Sequence, residues 1–324
     1  MKTPTVQFLS PLMYSNSDIL SMEVIRKDIM SILQQTVLEY VPGTVPQCIY
    51  LNGEAGSGKT FLLLQLKSRL GTEANVIYHD FRFDSPQTLR NFYTKIESGE
   101  IAPRSIILAD NFDCIVDETT GNDHFYLRKL FSEVDAPLLI ASGRSVPNSL
   151  IRYDGAFYGS FKLIYLEKLS REQSVVLAKS VSNLAEKYSG ELSKVFDEIG
   201  GTPRQVLLIT NELAHNRHKY DDIVAGVIDQ MTPHYEDILE KLAPTARDIF
   251  ISLLLNGPCS LPKIREYTQL PSSITSAYLH ILMNKGLVIK KVSGARKGIY
   301  CVKDSLMSNW AKNVLSKTKG VSES

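Results

Sequence analysis

Eight residues, Gly53-Glu54-Ala55-Gly56-Ser57-Gly58-Lys59-Thr60, restrict what this chain can fold into more than any other part of it. They match G-x-x-x-x-G-K-[ST] at every fixed position. They also stand between a short apolar run, Cys48-Ile49-Tyr50-Leu51, and a segment of helical character from Thr60 to about Leu70. A strand that passes through glycines into a helix aims backbone N–H groups and the positive end of the helix at one point. Gly56 and Gly58 let the backbone curl around that point. The pattern predicts a phosphate-binding loop, and hence a site for ATP or a closely related nucleoside triphosphate with magnesium. All of Gly53, Glu54, Ala55, Gly56, Ser57, Gly58, Lys59 and Thr60 belong to that cofactor site. Lys59 is placed to reach the β- and γ-phosphates and the Thr60 hydroxyl to ligate the metal.

Four further apolar runs read as strands: 75–79, 105–109, 137–141 and 161–166. Helical segments separate most of them, including 86–96 and 123–134, and a helix over 18–40 precedes the first. Short apolar strands alternating with helices predict a parallel sheet covered on both faces, an α/β core. After Leu169 the pattern becomes helical (171–187, 190–199, and onward from Arg204), and from Pro244 it changes once more. The expected division is 1–169 for the nucleotide-binding α/β domain, 170–241 for a small helical lid, 242–316 for a C-terminal domain, and 317–324 as a disordered tail.

The strand at 105–109 ends on Asp110, the acid expected to face the magnesium through water. A Glu commonly follows such an acid to polarise the attacking water; here the residue is Asn111, which can hold a water but cannot take its proton. Asp113 either substitutes for that carboxylate or caps the next segment. Ser142, at the end of the fourth run, is expected to sense the γ-phosphate. Arg144 is a phosphate contact, an arginine directed at a neighbouring subunit, or a solvated loop residue. Gly200-Gly201-Thr202-Pro203-Arg204 opens a helix from which Arg204 could swing across the nucleotide. Lys59, Asp110, Asn111, Asp113, Ser142 and Arg204 are thus the catalytic candidates, with Thr60 and Asp110 at the metal.

These segments, GEAGSGKT, ILADNFD, LLIASGRS, AFYGSFKLIYLEKLS and IGGTPRQ, resemble those of the AAA+ and STAND-like P-loop ATPases. Within them the chain is similar to archaeal-type ATPases with a C-terminal winged helix, a group related to the origin-recognition initiator ATPases. The resemblance spans roughly residues 20 to 315 and includes a wing-like GLVIKKVSGARKGIYCVKDSLMSNW, with Asp304, Leu306 and Trp310 in a closing helix. It implies an ATP-dependent molecular switch. Asn111, and Gly159-Ser160 where the family often has Gly-Arg, imply weak hydrolysis.

The C-terminal segment has its own reading. Helices at 245–255, 262–268 and 272–285, then a hairpin of 287–292 with 298–303 around 293–297, give helix-turn-helix plus wing. Residues 244–312 hold ten basic and three acidic residues, an excess of seven positive charges, while the whole chain has 36 Lys plus Arg against 35 Asp plus Glu. A local basic patch attracts phosphate backbones, so duplex DNA is the expected partner. The candidate contacts are Ser272, Ser273, Thr275, Ser276, Lys285, Arg296 and Lys297. No Arg on the third helix is placed to read guanine, and winged helices also dock proteins or dimerise. A protein partner or self-association is therefore expected beside DNA.

Composition bears on location. The four cysteines stand far apart with no CxxC pair, which predicts neither a disulfide framework nor a zinc site and suits a reducing cytoplasm, or a nucleus. No run approaches the roughly 20 apolar residues that span a bilayer, so no membrane partner is expected. The two leading readings are a DNA-associated ATPase switch and a nucleotide-stabilised scaffold that hydrolyses little; a small-molecule kinase lacks both an acceptor pocket and an Arg-rich lid.

Overall fold

The computed structural model describes residues 11–21, 25–71, 74–118, 121–182, 184–199, 201–214, 219–293 and 297–319. The chain divides into two compact units, 7–168 and 169–324. The first carries, in order, α1 (Asn16–Ser21), α2 (Lys27–Glu39), β1 (Cys48–Asn52), α3 (Lys59–Leu70), β2 (Val76–Asp80) and α4 (Pro86–Glu97). It continues with β3 (Ile106–Asp110), α5 (Phe112–Glu118), α6 (Gly121–Phe131), β4 (Leu138–Gly143), α7 (Asn148–Ile151) and β5 (Phe161–Tyr165).

The five strands form one parallel sheet in the order β2-β3-β4-β1-β5. The β3 and β4 backbones are buried throughout, and so is β1 up to Leu51, which is why their sequences are apolar at nearly every position rather than alternating. One face packs Ile49, Leu51, Leu108 and Ile140 against Leu33 of α2 and Leu62, Leu63 and Leu66 of α3. The other packs Tyr50, Ile107, Ala109, Leu139 and Ala141 against Phe112, Ile115, Leu127 and Phe157. Because every strand runs the same way, all five carboxyl ends share one edge, where ligands of open α/β sheets bind.

The helix expected over 18–40 is two helices. At Arg26 the backbone leaves helical angles (φ −102°, ψ 64°), and the guanidinium is buried and donates to backbone carbonyls of Ser57 and Glu167. Tertiary bonds at that residue take precedence over the apolar periodicity around it.

The second unit begins with α8 (Arg171–Val181), α9 (Leu184–Lys187), α10 (Ser189–Ile199), α11 (Pro203–Ala214) and α12 (Tyr220–Glu240). A capping box, Ser170 with Gln173, starts α8. The helix stops at Val181 rather than running to 187, because Ser182 is extended (φ −154°). Then follow α13 (Pro244–Asn256), β6 (Cys259–Ser260), α14 (Leu261–Thr268), α15 (Ser272–Asn284), β7 (Val288–Ser293), β8 (Lys297–Val302) and α16 (Ser305–Lys319). Three helices and an antiparallel sheet of order β6-β8-β7 make a winged helix.

The Asp304, Leu306 and Trp310 segment closes this module. Asp304 Oδ1 accepts the Leu306 N–H at 2.9 Å, capping α16, and its Oδ2 accepts the Tyr235 hydroxyl at 3.1 Å. Tyr235 and Trp310 are both buried with ring centroids 5.4 Å apart, so α12 and the winged helix are packed together. The tail expected to begin at 317 is still helical to Lys319; residues 320–324 lie outside the described residues. Among the described residues no helix is long and apolar enough to cross a membrane.

Candidate functional site

Residues 53–60 lie at the carboxyl edge of the sheet, between β1 and α3. Gly58 caps α3 in the left-handed region (φ 95°, ψ 13°), a conformation an L side chain resists, and Gly56 also has positive φ at 78°. Lys59 is 7 % exposed, and its Nζ donates to the carbonyls of Gly53 at 2.6 Å and Glu54 at 3.0 Å. Burial pulls its pKa down to about 8, against the opposing attraction of Asp110; the positive charge of Arg144 adds to the lowering.

Asp110 is fully buried and is the hub of the edge. Its Oδ2 accepts the Thr60 hydroxyl at 2.6 Å and the Tyr78 hydroxyl at 3.1 Å. Its Oδ1 accepts the Ser142 hydroxyl and the Asn111 N–H, the latter at 3.1 Å. Burial and the charges of Asp110 and Asp80 push the Tyr78 phenol well above its ordinary range, so it stays protonated as a donor. Phosphate loop, β3 and β4 thus meet at one carboxylate, which brings Lys59, Thr60, Asp110, Asn111 and Ser142 together.

The residues fit a bound triphosphate and divalent metal. Ser57 Oγ is buried without a hydrogen-bond partner among the described residues, and a Cβ on Gly53 would fall 2.5 Å from it, so the glycine leaves room for that hydroxyl inside the loop. Among the described residues no group of three or more His, Cys, Asp or Glu could hold a metal unaided. A magnesium ion would rest on Thr60, on Asp110 through water, and on phosphate oxygens, as this hard cation usually does.

Asp113 lies under the turn that follows β4. Its Oδ2 accepts the N–H groups of Arg144 at 2.8 Å and Ser145 at 3.3 Å, so it holds the turn after β4, while its Oδ1 is buried without a hydrogen-bond partner among the described residues. Gly143 sits under that turn, where an added Cβ would meet Tyr50 Oη at 1.9 Å and Asp113 Cγ at 2.8 Å. Gly143→Ala is expected to cost about 1–3 kcal/mol by overpacking, read as a lower denaturant midpoint with unchanged slope. Arg144 itself is exposed.

Arg204 stands in the first turn of α11, half-buried, in the second unit; Gly200 lies outside the described residues. In the winged helix, Ser272, Ser273, Ser276 and Lys285 are exposed along α15, Lys297 opens β8, and Arg296 lies outside the described residues. Thr275 is a correction. It is fully buried, its hydroxyl donates to the Pro271 carbonyl at 3.0 Å, and it shares the inward face of α15 with Leu279 and Leu282. It packs the domain and cannot touch DNA.

No family model matches the chain. No curated protein matches it either. Solved structures do. The Aeropyrum pernix Orc1 protein in complex with DNA aligns with TM-score 0.50 and 13% identity over 97% of this chain and 96% of that one. The chain has the fold of the AAA+ P-loop ATPases. Other structures of this type match less tightly: Cdc6p from Pyrobaculum aerophilum at TM-score 0.47 and 12% identity, covering 94% of this chain and 99% of that one, and the Thermotoga maritima RuvB Holliday junction branch migration motor at 0.48 and 16%, covering 92% and 96%.

Within this AAA+ fold three residues bear on the site that the sequence did not single out. Tyr78 donates to Asp110 from β2. Asp80, the last residue of β2, accepts from the Asn111 side chain. Arg26 holds the Ser57 carbonyl at 3.5 Å. An acid ending a strand, as at Asp110, was a usable signal for Asp80; nothing local marks Arg26, whose acceptors lie 31 and 141 residues away.

Proposed function

We propose that the chain binds ATP with magnesium at Gly53–Thr60 and works as a nucleotide-dependent switch whose winged helix engages duplex DNA. The observation that carries the nucleotide half is the Thr60–Asp110 hydrogen bond of 2.6 Å, which joins the loop and the β3 acid where one metal ion can use both. Bound magnesium would neutralise charge on the phosphates. This chain's residues do the rest: the loop N–H groups and Lys59 cradle the phosphates, Ser142 fixes Asp110, and Arg204 is the candidate reporter in the second unit. Support for the DNA half is the exposed set Arg247, Lys263, Arg265, Lys285, Lys290, Lys291, Lys303 and Lys312, together with a fold shared with an Orc1 protein in complex with DNA. Activity is expected in a soluble compartment, cytoplasm or nucleus, with self-association or a protein partner.

The test is ATP turnover per protein molecule with and without duplex DNA, wild type against Lys59→Ala, alongside DNA affinity with and without nucleotide. Turnover that requires Lys59, and DNA affinity that changes with nucleotide, are expected. DNA affinity indifferent both to nucleotide and to replacement of Lys290 and Lys291 would sink the switch.

The Lys59 ammonium sets a pH dependence. Phosphate needs the charged form, and the free loop loses that charge above about pH 8. ATP affinity is therefore expected to fall about twofold from pH 7 to 8 and about tenfold by pH 9, as measured by titration in matched buffers. A flat profile to pH 9 would contradict it.

One observation favours the second reading, a scaffold with little or no hydrolysis. Ile274, Ala277 and Ile281 are exposed at helical spacing on α15, where a DNA-reading helix more often carries polar groups. A stable protein complex that forms without DNA and is lost on Ile274→Glu, with no turnover, would select this reading.

A further inference from the structure

Asn111 leaves the carboxyl edge of β3 without the acid that would deprotonate an attacking water, yet the backbone explains why an amide stands there. Asn111 has φ of 53°, in the left-handed region. Asn and Asp enter that region far more readily than a longer side chain such as Glu. The Asn111 side chain is not idle: its Nδ2 donates to Asp80 Oδ1 at 2.8 Å. Asp80 is the register partner of Asp110 on the neighbouring strand, so it ends at the same edge.

The acids at this edge differ in what remains open to them. Both oxygens of Asp110 are occupied, by Thr60 and Tyr78 on one side and by Ser142 and Asn111 on the other, and the residue is fully buried. Asp113 Oδ2 is committed to two backbone N–H groups, and its Oδ1, though without a hydrogen-bond partner among the described residues, is buried from solvent. The Asp80 side chain is 22% exposed, and among the described residues its Oδ2 faces Arg82 Nη2 at 3.2 Å, an arginine 41% exposed to solvent. Its Oδ1 accepts the Arg82 N–H at 3.1 Å as well as Asn111. Asp80 is thus held in a fixed orientation by one strand and the next, with an oxygen that water can reach.

We propose that Asp80 is the catalytic base of ATP hydrolysis, with Asn111 as its positioning residue: the acid expected after Asp110 has moved across one hydrogen bond to the end of β2. This rests on the nucleotide-binding reading above. In the step, a water oxygen forms a bond to the γ-phosphorus as the bond from that phosphorus to the β–γ bridging oxygen breaks. ADP leaves with that electron pair, and the water proton passes to an Asp80 carboxylate oxygen and then to solvent. Nothing is oxidised or reduced.

The experiment uses the full chain as wild type, Asp80→Asn, and the exchange variant Asp80→Asn with Asn111→Asp, which returns a carboxylate to the other end of the same hydrogen bond. Single-turnover hydrolysis is measured beside the dissociation constant for magnesium-ATP. Asp80→Asn is expected to slow hydrolysis about 100-fold or more with the dissociation constant changed less than threefold, and the exchange variant to recover to within tenfold of wild type. An Asp80→Asn rate within threefold of wild type overturns the proposal. So does an exchange variant that binds ATP yet stays as slow as Asp80→Asn. If Asp80→Asn fails to fold, the exchange variant alone decides. A wild type that binds ATP without turnover overturns the base and leaves the binding site standing, whereas a wild type that does not bind ATP overturns both.

Discussion

Lys59→Ala is expected to lower ATP affinity by about 100-fold or more, a loss near 2.7 kcal/mol, while leaving the fold intact. Lys59 is a buried cation whose pKa is pulled to about 8, so the folded protein holds its charge at a cost. The loop carbonyls of Gly53 and Glu54 that it now engages are a partial offset. A phosphate brings full negative charge into the same low-dielectric place, where a charge-assisted bond is worth about twice a neutral one. Removing the ammonium thus removes attraction felt mainly in the complex. The melting temperature without nucleotide is expected to shift by only a few degrees, and the rise normally produced by magnesium-ATP is expected to vanish. Thermal melts with and without nucleotide check both halves; a nucleotide-induced rise of wild-type size in the variant would mean that ATP sits elsewhere.

Asp110→Asn is expected to abolish the magnesium dependence of ATP binding and to slow any turnover about 100-fold. The amide keeps the volume, and the hydroxyls of Thr60, Tyr78 and Ser142 can rotate to accept or donate as the new group requires, so the edge need not collapse. Two electrostatic consequences remain. The metal loses its anionic anchor, and Lys59 loses the attraction that opposes its desolvation, so its pKa drops further and less of it is charged near neutrality. ATP titrations at fixed pH, with magnesium or with a chelator, read out the first directly. A variant whose affinity still rises with magnesium would place the metal on other ligands.

Contiguity decides what the sequence revealed. The loop, its strand and its helix are consecutive residues, and so the motif, its glycines and the α/β class could be read in one pass. Asp110 was legible because a buried strand that ends on an acid is unusual. Asp80 ends a strand in the same way, but its significance depends on β2 lying beside β3 and on the left-handed turn at Asn111, and neither is a local property. Arg26 interrupts a helix for the sake of two distant carbonyls. Thr275 faces inward because the phase of α15 is set by the helices packed against it, and a polar side chain does not itself reveal that its hydroxyl closes on the Pro271 carbonyl.

The junction of Tyr235 with Asp304 and Trp310 has a mechanical consequence. It fastens the winged helix to the last third of α12, a helix of 21 residues and so about 30 Å long. A joint there would let the winged helix turn on its own; a clamp makes the pair a lever arm. Tyr235 stands 15 residues, about 22 Å, along α12, so a turn of about 10° at the start of the helix would carry the clamp through about 4 Å, and a small rotation at one end becomes a displacement on the scale of one base-pair step.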